Sequence, residues 1–171
     1  MLELILADDY EAIDSSLPES IRQLKQRGSH RCWHKHSTFL QHLVSVHNML
    51  RLWEQSKVSA RVGLFHSAYS NSYVNLALLN PQQPSDDRAQ LQTSIGAEAA
   101  DVVYKFCIIN RQVIVVETLL AQGAIPPQGI VVPHLRHSTK IIHLSAKSLR
   151  DLAIFTMADI GDQYFGWQDQ L

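Results

Sequence analysis

Residues 37–55 carry the hydrophobic period that most constrains the fold of this chain. In the sequence "STFLQHLVSVHNMLRLWEQ", large apolar side chains recur at alternating spacings of four and three residues. This is the repeat of one face of an α-helix that packs on a core. The members of this face are Phe39, Leu43, Val46, Leu50 and Trp53. The segment predicts a long core helix, and Trp53 is expected to lie in the core.

The next segment, "KVSARVGLFHSAYS", repeats the same period. Val58, Val62, Phe65 and Tyr69 fall on one face, and Ser56 is placed to cap the first turn. Two helices joined by so short a link are expected to lie antiparallel. These two helices are the predicted centre of the fold.

Other segments extend this helical pattern. "SLPESIRQLKQRG" predicts a helix with Pro18 in its first turn and Gly28 at its end. Further helices are predicted at 86–95, at 97–109 and after Ser145, and "NPQQPSDDR" is expected to be a surface loop. The β-branched runs "QVIVVETLL" and "KIIHL" predict a small β-hairpin. The expected fold class is therefore mainly α, with one small hairpin.

Composition narrows the class of protein. With 171 residues, 46% of them hydrophobic, the chain can form one domain spanning 1–171 with its own core. The chain has 15 basic and 16 acidic residues, so it has no net positive field that would attract a nucleic-acid backbone. Two distant cysteines, no signal-like N-terminus and no apolar run of about 20 residues indicate a cytoplasmic protein that does not span a membrane.

The candidate chemistry lies in three polar residues on predicted core faces. His42 shares a face with Phe39 and Val46, and His66 follows the inward side of its helix, where Gly63 leaves room one turn earlier. Asp159 stands within an apolar run of the last helix. Two imidazoles and a carboxylate suit a divalent ion such as Mn, Zn or Fe. Such an ion would polarise a phosphoryl oxygen and acidify a bound water.

Each of these residues has a simpler explanation on its own. A single histidine on an apolar face is more often a packed residue with one hydrogen bond than a metal ligand. Of the nine histidines, six fall between His30 and His66, and the segment "HRCWHKH" matches no closed zinc pattern. His47 is expected on the helix surface. Arg111 could hold a phosphate or a carboxylate, although basic side chains usually face solvent.

The order and spacing of these residues resemble the HD-domain superfamily. The likeness rests on His42, on "FHS" 24 residues later and on "TMADIGDQ" in a late helix, and it covers a core of about 28–163. The chain is most similar to hydrolase domains of the alarmone-hydrolase (RelA/SpoT) type, which are all-helical, metal-dependent phosphohydrolases. More narrowly, "HSTFLQHLVSVHNMLRLW" and "VGLFHSAYSN" resemble the uncharacterised DUF6817 family, with HS in place of HD.

The resemblance implies an HD-like helical bundle in which His42, His66 and Asp159 are metal ligands. Ser67 stands where that superfamily has an aspartate ligand, and 68–71 stand where the alarmone hydrolases carry acidic catalytic residues. No carboxylate general base is available there, so no catalytic residue is assigned. The pocket candidates are His36, Ser67, Tyr69 and Asn71.

Three functions remain open from the sequence. The first is a metal-dependent phosphohydrolase that acts on a nucleotide or another small phosphorylated ligand. The second is a non-catalytic HD-like module that binds such a ligand, and the third is an HD-type di-iron oxygenase. Each implies a small-molecule partner rather than nucleic acid or a membrane, and the sequence is also compatible with a homo-oligomer.

Overall fold

The computed structural model describes residues 1–70, 78–79, 84–111, 114 and 119–168. The described part is mainly helical, as the sequence predicts, with two small antiparallel strand pairs. The helices are α1 Leu2–Leu6, α2 Tyr10–Ile13, α3 Leu17–Gln26, α4 Phe39–Leu52, α5 Lys57–Phe65, α6 Pro84–Ile95, α7 Ala97–Ile108 and α8 Ala146–Gln168, with a short 3-10 turn at Ser29–Arg31. The strands are β1 Trp33–His34, β2 Ser37–Thr38, β3 Ile130–His134 and β4 His137–Leu144.

The long core helix α4 begins and packs as its sequence dictates. The Thr38 side chain accepts a hydrogen bond from the Gln41 backbone amide, and the Thr38 backbone amide donates one to Oε1 of Gln41. This capping box satisfies amide groups that have no partner within the helix. Phe39, Leu43 and Leu50 are fully buried. Trp53 follows the last helical residue and is 42% exposed, so the prediction that it lies in the core is wrong.

Glycine at position 63 allows α5 to approach α4 closely. A β-carbon on Gly63 would lie 2.4 Å from a methyl carbon of Leu50 and 3.3 Å from one of Val46. Because both neighbours are buried, only a residue without a side chain fits at this spacing. Ser56 caps α5 as predicted, but the helix ends at Phe65, and His66 occupies its C-cap.

His47 lies on the side of α4 that faces the N-terminal part of the chain, and it is fully buried. The charges of Asp14 and Arg61 act on its imidazole, and these two residues form a bidentate ion pair with 2.9 Å contacts. The segment after α2 is thereby fastened to α5 beside His47. The prediction of a surface position for His47 is therefore wrong.

The predicted hairpin exists, but one of its strands is different. β4 contains "KIIHL", whereas its partner is β3, in the register Ile130↔Leu144. The described residues of 111–122 are helical, so the prediction of a strand in "QVIVVETLL" is wrong there. At the hairpin tip, the Leu135 amide donates to the Ile108 carbonyl, and Arg136 donates to the Tyr69 carbonyl at 2.6 Å. The tip thus connects the end of α7 to the segment after His66.

The last helix, α8, packs along α4 and α5 and carries the final part of the core. Its buried face includes Leu149, Leu152, Phe155 and Ala158. Within the described ranges, no helix has both the length and the apolar character that a bilayer crossing requires.

Candidate metal centre

His42 is presented to the interior by the second turn of α4. Its side chain is 2% exposed, and Nδ1 lies 2.6 Å from Oδ2 of Asp162 on α8. A carboxylate at this distance accepts a hydrogen bond, so Nδ1 carries the hydrogen. The remaining ring nitrogen, Nε2, therefore faces the space between α4, α5 and α8.

His66 is oriented by the end of α5. Its side chain is fully buried, and Nδ1 lies 2.6 Å from the Gly63 carbonyl oxygen, which can only accept a hydrogen bond. The His66 carbonyl in turn accepts a hydrogen bond from the Cys107 thiol at 3.1 Å. With Nδ1 donating to Gly63, Nε2 of His66 is directed toward the same interior space as Nε2 of His42.

Asp159 extends from α8, and its two carboxylate oxygens accept hydrogen bonds from different neighbours. Oδ2 accepts a hydrogen bond from Nη1 of Arg111 at 2.7 Å, and Oδ1 accepts one from the Gln163 amide at 2.8 Å. Arg111 is 1% exposed, and its guanidinium lies 4.0 Å from the centre of the Phe106 ring. The ability of Arg111 to hold a carboxylate, noted from the sequence, is realised inside the core.

The three side chains meet, as the predicted helix faces indicated. Oδ1 of Asp159 lies 3.2 Å from Nε2 of His42 and 3.5 Å from Nε2 of His66, and the two imidazole nitrogens are 3.3 Å apart. One ligand atom from each residue lies within 4.8 Å of the others. The predicted convergence of His42, His66 and Asp159 is confirmed, while their role as metal ligands stays a prediction.

Three acceptor atoms cannot face one another without a positive charge between them. With both Nδ1 atoms donating outward, each Nε2 offers a lone pair, and Oδ1 carries part of a negative charge. Either a proton or a metal cation can occupy the shared space. Imidazoles held by a carboxylate or a backbone carbonyl through Nδ1 are typical of metal-binding histidines, because that bond fixes the tautomer. The residues present therefore fit a divalent ion.

Ionisation within the cluster follows from its contacts. Burial lowers the pKa of His42, but the hydrogen bonds and charges of Asp159 and Asp162 outweigh it and raise this pKa to about 9. Burial lowers the pKa of His66 despite the opposing charge of Asp159. Burial would raise the pKa of Asp159, yet His66, His42 and Arg111 together hold it well below its usual range. At neutral pH, the metal-free cluster therefore contains a positively charged His42 imidazolium and an ionised Asp159 carboxylate.

The pocket candidates from the sequence occupy different places. Ser67 is 1% exposed, directly after His66. Tyr69 is fully buried, its hydroxyl has no hydrogen-bond partner among the described residues, and burial raises its pKa to about 12. His36 is exposed in the turn between β1 and β2. Asn71 lies outside the described residues.

One neighbour of the cluster, Asp162, was not identified from the sequence, and His34 was considered there only as one of three histidines, with His30 and His36, that could add a ligand. Asp162 lies three residues after Asp159 on α8, close enough in helical phase to have been considered. His34, rather than His36, reaches the cluster: its ring centre is 4.8 Å from that of His42 and 5.5 Å from that of Phe39. Burial and the positive charge of His42 lower the pKa of His34 to about 4, so its imidazole is neutral at neutral pH.

The fold and the cluster together define a mainly helical protein with a buried His/His/Asp group that could hold a metal ion. A family model described as "Domain of unknown function (DUF6817)" matches residues 23–111, just over half of the chain. The chain belongs to this family, and the match includes His42, His66 and Ser67 but not Asp159. Searches of curated proteins and of solved structures found no match.

Proposed function

We propose that this protein is an HD-like metal protein whose centre binds a small phosphorylated ligand, such as a nucleotide. The observation that carries the proposal is the convergence of two Nε2 atoms and one carboxylate oxygen within 4.8 Å, with their outer atoms already bonded to other groups. A histidine packed for structural reasons needs only one hydrogen bond, whereas here both Nε2 atoms also converge on one carboxylate oxygen. His42, His66 and Asp159 are the proposed ligands of one divalent ion.

The chain's own residues set the charge and geometry of this centre. Arg111 binds Oδ2 of Asp159, which leaves Oδ1 as the oxygen available to an ion. Asp162 holds the His42 ring and adds a second negative charge. A divalent ion together with these three charged residues leaves a net positive charge, which favours an anionic ligand. When bound, the ion would supply Lewis acidity toward a phosphoryl oxygen or a water molecule.

The same site supports ligand binding better than rapid catalysis. Ser67 and Tyr69 carry no carboxylate, and Asp162 is already hydrogen-bonded to His42, so none of these three offers an uncommitted general base. This observation favours the alternative of a binding module without turnover. In the described ranges, the single His/Asp group gives no support to a di-iron oxygenase, which needs two sets of ligands.

Metal content is the direct test of the centre. Metal-free protein is incubated with Mn²⁺, Zn²⁺ or Fe²⁺, desalted and analysed for bound metal. We expect one ion per chain in the wild type and a loss in His66→Gln, whereas the control His143→Gln, on the exposed side of β4, retains the ion. Equal metal content in the wild type and in His66→Gln would contradict the proposal.

Ligand class and turnover need a second measurement. Pyrophosphate and alarmone-type nucleotides are added to the Mn-loaded protein, and both binding and the release of phosphate or pyrophosphate are followed. We expect binding with weak turnover. Turnover at the level of ordinary enzymes, roughly 1 to 1000 per second, would show that the residues after His66 have been misinterpreted.

A further inference from the structure

His34 is the polar side chain near the cluster whose position the three-ligand site does not explain. It lies on β1, in a two-residue pairing with β2 that places it opposite Ser37. Its Nε2 atom is buried and has no hydrogen-bond partner among the described residues. A buried nitrogen without a partner is unfavourable, since it has given up water without a replacement. Such an atom beside a metal-binding group requires an explanation.

We propose that His34 supplies a third imidazole ligand to the ion held by His42, His66 and Asp159. This inference rests on the proposed metal centre. The ring of His34 is 4.8 Å from the ring of His42, and its buried Nε2 has no hydrogen-bond partner among the described residues. Ligation would give Nε2 the partner that it lacks. It would also change a three-ligand set of two nitrogens and one oxygen into a four-ligand set.

The hairpin that carries His34 must move to make this bond. The group of mutually close ligand atoms contains His42, His66 and Asp159 but not His34. The hairpin is held at its base, where the Phe39 amide donates to the Cys32 carbonyl, and its turn is exposed at Lys35 and His36. A movement of the turn toward α4 is therefore compatible with the fixed base. Metal binding would then bring this hairpin closer to the site.

The additional imidazole has a consequence for the choice of metal. Three histidines and one carboxylate form a donor set for zinc, iron or cobalt, whereas magnesium and calcium prefer oxygen ligands. Four protein ligands would also complete the coordination of a tetrahedral ion. A phosphorylated ligand would then have to displace His34 or raise the coordination number of the ion. His34 would then couple occupancy by the ligand to the position of the hairpin.

Cobalt provides a test because its visible spectrum reports the ligand set. Co²⁺ is titrated into metal-free wild type, His34→Ala and the control His36→Ala, which alters an exposed residue of the same turn. Affinities are measured by competition with a chelator, and thermal unfolding without metal verifies that each variant folds. We expect His34→Ala to bind cobalt at least about tenfold more weakly and with a changed spectrum. His36→Ala should match the wild type.

A second variant separates ligation from packing. His34→Cys removes the imidazole but offers a thiolate, which is itself a metal ligand. A sulfur-to-cobalt charge-transfer band in His34→Cys would place residue 34 on the metal, and no packing effect can produce it. If the wild type binds cobalt while His34→Ala has the same affinity and spectrum, the inference is wrong and the three-ligand centre stands. If the wild type binds no metal, the proposed function fails as well.

Discussion

The buried ion pair of Arg111 and Asp159 provides the sharpest test of the site's electrostatics. In Asp159→Asn, the side chain keeps its size but loses its charge, and one carboxylate oxygen becomes an amide that donates hydrogen bonds. The Arg111 guanidinium, 1% exposed, then loses the negatively charged oxygen that lies 2.7 Å from its Nη1. Protonated His42 loses the oxygen that lies 3.2 Å from its Nε2. The change thus removes the carboxylate charge that lies against the buried Arg111 and against His42.

The size of the effect follows from this burial. Removing one partner of a buried ion pair costs about 3–5 kcal/mol, because the other charge stays desolvated. Water cannot screen the loss, since only 8% of the Asp159 side chain is exposed. For a chain of this length, each kcal/mol lowers the melting temperature by about 2–4 °C, so we expect a decrease of roughly 6–20 °C.

Urea or thermal unfolding in the presence of a chelator measures this effect without metal. The matched control is Asp151→Asn on the same helix, where the Lys147 partner is 64% exposed and the loss should be under about 1 kcal/mol. The double variant Arg111→Met/Asp159→Asn removes both charges and should be more stable than Asp159→Asn alone. Stability of Asp159→Asn within about 1 kcal/mol of the wild type, or no recovery in the double variant, would refute the electrostatic reasoning.

Three further perturbations test other contacts. Ser67→Asp buries a carboxylate beside His66, so we expect a lower melting temperature without metal and recovery with Mn²⁺, because an ion that binds the folded state stabilises it; a loss that Mn²⁺ cannot reverse would count against a retained metal site. Gly63→Ala places a methyl group against Leu50 and should cost about 1–3 kcal/mol in urea unfolding despite its better helix propensity; a more stable variant would show that α5 can shift freely. Burial opposes ionisation of Asp14, but hydrogen bonds from Arg61 and Ser16 outweigh it and lower its pKa to about 2. This depressed pKa contributes stability that is complete above about pH 4 and is lost as the pH falls through about 2, so Asp14→Asn should flatten the stability profile over that interval; an unchanged profile would show that the ion pair does not matter there.

Helical periodicity was sufficient to predict the elements that carry the site. The faces of α4 and α8 placed His42 and Asp159 inward, because a period of 3.6 residues fixes direction wherever apolar residues mark the core. Gly63 was expected from the sequence to leave room beside His66, whereas in the structure its missing side chain leaves room for Leu50 and its carbonyl binds His66 Nδ1.

The errors arose where a tertiary contact overrides a local signal. In sequence, His47 falls between the apolar positions that mark the core face of α4. The side of α4 that carries His47 is covered by the ion pair of Asp14 and Arg61, which are distant from it in sequence. In 112–120, β-branched residues favour a strand, but such propensity depends on packing context, and the described Ile114 is buried in a helical segment. The pairing of Asp162 with His42 spans 120 positions and leaves no local signal.

The pairing of Arg111 with Asp159 has a consequence for the order in which the site can form during synthesis. The two residues are 48 positions apart, and Arg111 is the last residue of the segment that the family model matches. A ribosome that adds about 5–20 residues per second needs roughly 2–10 s to cover that distance. During this interval, the cationic side chains of His42 and Arg111 have emerged or are emerging without the Asp159 carboxylate that lies against them in the folded protein. Arg111 therefore cannot be buried until α8 arrives, and the docking of α8 is the step that dehydrates the site.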